Sequence, residues 1–164
     1  LVALKNVLDM GTGSAFYTFI SKKSQPISFY ILYALWQLIQ FIFPFLIIAF
    51  ILPQSWLETI WMGHERGLII LAFSAIFFQH LVWPTMSCIG DAKRMTKQVQ
   101  ILNVSISVFN LCLVSCASIL EVLTVSFLFW VLLIQYLLAS IISLNFFSVF
   151  KIHKPNYLGR KKEC

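Results

Sequence analysis

The chain has 164 residues, of which 60% are hydrophobic, 16% aromatic and only 11% charged, whereas a soluble domain carries roughly 25% charged residues. That balance excludes a soluble globule and makes lipid the solvent for much of the surface. The formal charge of +6 does not indicate nucleic acid, because the basic residues cluster at the ends of apolar runs and no basic stripe with interleaved aromatics lies elsewhere.

The chain starts at Leu1 with no basic lead-in and no small-residue cleavage site, so a piece of a longer protein is expected rather than one led by a signal peptide. Residues 1–20 are half apolar, carry Lys5 and Asp9 near one end, and read as the tail of an earlier membrane helix. Gly11-Thr12-Gly13 is too short for a phosphate-binding loop and suits flexible backbone or close helix packing. The polar linker 21–26 ends in Pro26, which fits the first turn of a new helix.

Span A, 27–52, has no charge and is interrupted only by Gln37 and Gln40, long enough for a bilayer crossing. Pro44 should kink it, and Trp56 and Trp61 follow where an interfacial aromatic belt would fall. Span B, 67–89, is bounded by His64, Glu65 and Arg66 before it and by Asp91, Lys93, Arg94 and Lys97 after it. The first three form a polar turn expected to be solvated or to meet lipid headgroups. Gln79 and His80 are candidate membrane-buried polar residues, with Pro84 one turn later. An imidazole at depth is costly unless it faces other helices or a wet cavity, so His80 is expected to face neighbouring helices.

Between Lys97 and Lys151 the only charged residue is Glu121, leaving about 53 residues, roughly 80 Å as helix, to fit a hydrocarbon core about 30 Å thick. Two passes are required: span C, 99–119, and span D, 124–150, as a tight hairpin with Glu121 at its tip. Asn103, Ser107, Asn110 and Ser118 fall along one face of span C and read as interhelical hydrogen-bonding residues. Asn103-Val104-Ser105 matches a glycosylation sequon, but at the expected cytosolic end of its span it is out of reach of the modifying enzyme.

If the four spans alternate, Lys22, Lys23, Lys93, Arg94, Lys97, Lys151, Lys154, Arg160, Lys161 and Lys162 share one side, ten of the twelve basic residues. That side is read as the cytosol. The fold expected is all-α: one integral membrane helical domain over 1–150, and a basic cytosolic tail over 151–164.

Lys161 and Lys162 stand fourth and third from the end, the pattern of a dilysine retrieval signal of the endoplasmic reticulum. Cys88, Cys112, Cys116 and Cys164 have no metal-ligand spacing and read as packing residues. Cys112 and Cys116, a turn apart on one helix, are not placed for a disulfide. His64-Glu65 begins like a zinc-protease HExxH, but Leu68 removes the second ligand. The six acidic residues are scattered with no pair at helical spacing, so no metal is expected on this chain.

Taken in order, PFLIIAFILPQSW (44–56), His64-Glu65-Arg66, HLVWPTMS (80–87), the C–D hairpin and FKIHKPNYLGRKKE (150–163) resemble the C-terminal part of the eukaryotic ethanolaminephosphotransferase family. These are relatives of the choline/ethanolamine phosphotransferases within the class I CDP-alcohol phosphatidyltransferases. The resemblance implies an enzyme of the endoplasmic reticulum or Golgi that moves phosphoethanolamine from CDP-ethanolamine to diacylglycerol, making phosphatidylethanolamine. It implies diacylglycerol and phospholipid as membrane partners, the N-terminal catalytic half as another, and a second copy of the chain as a further candidate. The family's aspartate signature, which holds Mg or Mn, is absent from this chain and belongs to that N-terminal half. The selenocysteine of the vertebrate tail has no counterpart here, Tyr157 preceding Leu158-Gly159, and ethanolamine and choline both stay open as headgroups. A reading from a different class is a non-enzymatic four-span subunit or adaptor of the endoplasmic reticulum.

Overall fold

The computed structural model describes residues 11–22, 25–61 and 63–146. Among them are seven α-helices and no strand: α1 Thr12–Lys22, α2 Ile27–Leu46, α3 Gln54–Ile60, α4 Arg66–Phe77, α5 Trp83–Ala92, α6 Thr96–Ile119 and α7 Val125–Phe146. Two wide π-type turns, Ile47–Ile51 and Phe78–Val82, extend α2 and join α4 to α5. Four stretches are long and apolar enough to cross a bilayer: Ile27–Ile51, Arg66–Ala92, Thr96–Ile119 and Val125–Phe146. They are spans A to D of a multi-pass all-α membrane protein. Span B runs three residues further than expected, through Asp91, and span C starts three earlier, at Thr96. The charged residues at these ends continue the helices, since a helix terminus at the headgroup level tolerates them. Span D is described to Phe146; the tail with Lys161 and Lys162 lies outside the described residues.

Burial is arranged for lipid. Gln37 and Gln40 in α2 are 7% and 5% exposed, while Leu32 and Ile39 on the same helix are 67% and 57% exposed. A helix in hydrocarbon hides its hydrogen-bonding groups against its neighbours and leaves leucine and isoleucine outside. Two apolar clusters close the bundle ends. Phe16, Ile20, Ile89 and Val99 pack at the end bearing Lys22 and Arg94, and Ile48, Leu57, Ile69 and Phe73 pack at the other. Among the spans, C is the least enclosed.

The expected kink at Pro44 takes another form. α2 runs on through the buried Pro44, and the irregularity follows it, where the Leu52 N–H reaches back five residues to the Ile47 carbonyl at 2.9 Å. In span B the order is reversed: the Trp83 N–H bonds the Phe78 carbonyl and Pro84 follows in the first turn of α5. Proline lacks an N–H and crowds the carbonyl four residues back, here that of His80, and the wide turn over 78–82 accommodates this crowding. Such turns recur at functional sites.

The A–B connection holds a short helix, α3, that the sequence does not announce. Trp61 is half-buried against the Ile48/Leu57 cluster, while Trp56 is exposed. The expected solvated turn at 64–66 divides. His64 and Glu65 are exposed, but Arg66 turns inward, donating from Nη1 to the Ala49 carbonyl at 2.7 Å and from Nη2 to the Leu52 carbonyl at 2.8 Å. The guanidinium thus caps the end of span A, where carbonyls lack helical partners and the helix dipole favours a cation.

Candidate functional site

Two cavities flank α1. This helix shows three faces. Phe16 and Ile20 are buried; Ser14, Tyr17 and Thr18 line one cavity; and Ala15 and Phe19 line another. Gly11, with φ at +77°, starts the helix from a conformation that suits glycine, its carbonyl accepting from the Ala15 N–H at 3.1 Å.

The first cavity, about 400 Å³, lies between α1 and the middle of span B. Its walls are Gly13, Ser14, Tyr17 and Thr18 from α1, Tyr33 from α2, and His80, Leu81, Pro84, Thr85 and Cys88 from span B. His80 is placed on its wall by the wide turn over 78–82, and its ring is exposed within the groove. The second is an open apolar groove of about 590 Å³ between α1 and α2, lined by Phe19, Phe29, Leu32, Leu35, Trp36 and Ile39 among others. Phe16 and Tyr33 line both. Their rings are stacked, centroids 3.8 Å apart and 12° from parallel, forming a wall between a polar chamber and an apolar one.

Behind the polar chamber a buried hydrogen-bonded pair fixes spans A and B. Gln37 Nε2 donates to Thr85 Oγ1 at 2.6 Å, and Thr85 Oγ1 donates to the Leu81 carbonyl at 2.9 Å. On the far side of span B, Gln79 Nε2 donates to Tyr136 Oη at 3.5 Å, so Gln79 and His80, adjacent in sequence, serve opposite faces. Of the row on span C, Asn103 alone makes an interhelical hydrogen bond among the described residues, accepting from Trp83 Nε1 at 2.9 Å. The Ser107 hydroxyl returns to its own helix at the Asn103 carbonyl, Asn110 lines a cleft with Tyr136, and Ser118 is exposed. Gln135, which sequence reasoning passed over, is buried and donates to the Ile106 carbonyl.

Among the described residues the polar chamber offers hydroxyls, one imidazole and a half-buried Cys88 thiol, with no carboxylate, lysine or arginine on its walls. It suits an uncharged hydrogen-bonding group carried on an apolar body. Its donor set does not fit Mg or Mn, which require carboxylate or phosphate oxygens, and among the described residues no three His, Cys, Asp or Glu side chains converge as a metal site. Ser14, Tyr17, Thr18 and Tyr33 were not singled out from sequence; their signal was the hydroxyl face of residues 12–22 set against the Ala15/Phe19 face. Comparison with family models, with curated proteins and with solved structures gives no match to this chain.

Proposed function

We propose that this chain is the C-terminal membrane portion of an enzyme transferring phosphoethanolamine from CDP-ethanolamine to diacylglycerol, and that its share of the work is to receive the diacylglycerol. The observation that carries this reading is the pair of chambers divided by the Phe16–Tyr33 stack. Diacylglycerol has one free hydroxyl, two esters and two long chains: the hydroxyl end matches the Ser14, Thr18, His80 and Thr85 side, and the chains match the Leu32, Trp36 and Ile39 side. In the transfer the acceptor oxygen bonds the ethanolamine-bearing phosphorus, the bond from that phosphorus to the CMP oxygen breaks, and the hydroxyl proton leaves. The chain's residues hold and orient the acceptor; divalent metal and the diphosphate belong to the N-terminal catalytic half. In this reading the protein resides in the endoplasmic reticulum or Golgi membrane with its basic end in the cytosol, where Lys161 and Lys162 act in retrieval.

The test is to express the chain with its upstream sequence and follow CMP release from CDP-ethanolamine. Ser14→Ala combined with His80→Phe is expected to raise KM for diacylglycerol about tenfold, the loss of one to two hydrogen bonds, with KM for CDP-ethanolamine unchanged. An upstream sequence without the paired aspartates, or a complete protein with no transfer activity, rejects the enzyme. Equal changes in both KM values reject the acceptor role alone.

A further inference from the structure

A second polar cleft lies on the opposite flank of the bundle. It has about 380 Å³ between spans C and D and is lined by Ile106, Ser107, Asn110, Leu111, Val114 and Tyr136. Asn110 and Tyr136 sit near the midpoints of their spans, so the cleft opens at the level where the bilayer holds the least water. The Ser107 hydroxyl is engaged at the Asn103 carbonyl. Tyr136 Oη accepts from Gln79 and keeps its own O–H to donate. The Asn110 carboxamide makes no hydrogen bond among the described residues, yet it is half-buried. A carboxamide with two donors and an acceptor left unmatched in hydrocarbon is costly, so the cleft calls for a polar visitor.

Three features define that visitor. It reaches the cleft from lipid, because Ser107 and Leu111 on the rim are exposed and span C is the least enclosed of the four. It is uncharged, since spans B to D have no Asp, Glu, Lys or Arg between 67 and 90, 98 and 119, or 125 and 146, and a phosphate at mid-bilayer would find no counter-charge. Its head is small, because the polar lining is limited to Ser107, Asn110 and Tyr136. A hydroxyl meets the chemistry, accepting from Tyr136 and donating to the Asn110 carbonyl oxygen. We propose that the cleft between spans C and D binds an uncharged, hydroxyl-bearing lipid, its hydroxyl paired with Asn110 and Tyr136 at the middle of the bilayer. This site is separate from the α1 chambers and does not depend on the enzymatic reading.

The test uses the full chain in lipid nanodiscs with photoreactive lipids in matched pairs: a diacylglycerol and its methyl ether, and a sterol and its methyl ether. The expected result is that one or both free alcohols label the 106–114 segment about tenfold more than the matching ether, the difference one hydrogen bond makes in a dry site. Which alcohol labels identifies the source. Asn110→Leu and Tyr136→Phe should each bring the alcohol down towards the ether; both remove polar atoms from hydrocarbon, so neither opposes membrane insertion. Equal labelling by alcohol and ether overturns the proposal, as does labelling indifferent to both substitutions. Disulfide-linked dimers of an Asn110→Cys chain otherwise free of cysteine, at high lipid dilution, also overturn it, because a second copy then fills the cleft.

Discussion

Arg66 is the residue whose position most constrains its surroundings. Its two Nη groups hold carbonyls from opposite ends of the span A terminus, Ala49 and Leu52, in a fork that lysine cannot reproduce. Arg66→Met should destabilise the protein by about 2–4 kcal/mol, the loss of two charge-assisted hydrogen bonds with two carbonyls left to find water. Arg66→Lys should recover less than half. Unfolding in detergent, followed by tryptophan emission from Trp61 beside this end, is the measurement; an unchanged midpoint in Arg66→Met shows that the fork contributes nothing. At this scale the sequence was informative about type and uninformative about direction. His64-Glu65-Arg66 is legible as a polar turn, but which of three adjacent polar side chains turns inward depends on where the carbonyls of another helix end. Likewise Thr85 is unremarkable in sequence until Gln37, 48 residues earlier, is brought against it.

At the scale of elements, both hairpin turns on the C span use the same closure with an unusual residue. After α5, the Arg94 N–H bonds the Asp91 carbonyl and the Met95 N–H bonds the Gly90 carbonyl, both at 2.9 Å. After α6, Glu121 bonds Ser118 and Val122 bonds Ala117, at 3.2 and 3.1 Å. This is the Schellman pattern, in which the left-handed position is ordinarily glycine; here it is Arg94, φ 60°, and Glu121, φ 55°. A left-handed non-glycine residue costs about 1–2 kcal/mol, partly offset by glycine's greater freedom when unfolded. Arg94→Gly and Glu121→Gly should therefore each stabilise the protein by about 0.5–1 kcal/mol, read as a raised Tm; a lowered Tm in both would show that the charged side chains hold contacts worth more than the strain. The four spans and the Glu121 tip were legible because apolar length and charge position are linear in the sequence. The wide turns at 47–51 and 78–82 were not, since Pro44 and Pro84 announce a disturbance without saying on which side of the proline the backbone absorbs it. α3 stayed hidden because seven residues give too little periodicity to separate a short helix from a loop.

For the whole molecule, the order of spans places Lys22, Arg94 and Lys97 at one end and His64, Glu65 and Glu121 at the other. Single cysteines put at Arg94 and Glu121 in a chain otherwise free of cysteine should react with a membrane-impermeant maleimide from opposite sides of sealed vesicles. Reaction of both from one side would refute the four-pass order. The chambers beside α1 were the least legible part of the structure. They depend on how an 11-residue helix leans on spans A and B, and nothing in the linear pattern of residues 12–22 specifies which neighbour meets the hydroxyl face.

Beside the His80 imidazole, the hydrogen-bonding groups near the span midpoints are the uncharged Gln37 and Gln40 in A, Gln79 in B, Asn110 in C, and Gln135 and Tyr136 in D. Moving one elementary charge through the full field is worth about 2.3 kcal/mol per 100 mV. With carboxamides in place of ions at the bilayer centre, rearrangements of the α1 chambers or of the C–D cleft carry no Asp, Glu, Lys or Arg charge through that field. If the chambers and the cleft take uncharged lipid as proposed, its occupancy should be the same in a membrane that holds a potential and in one that does not.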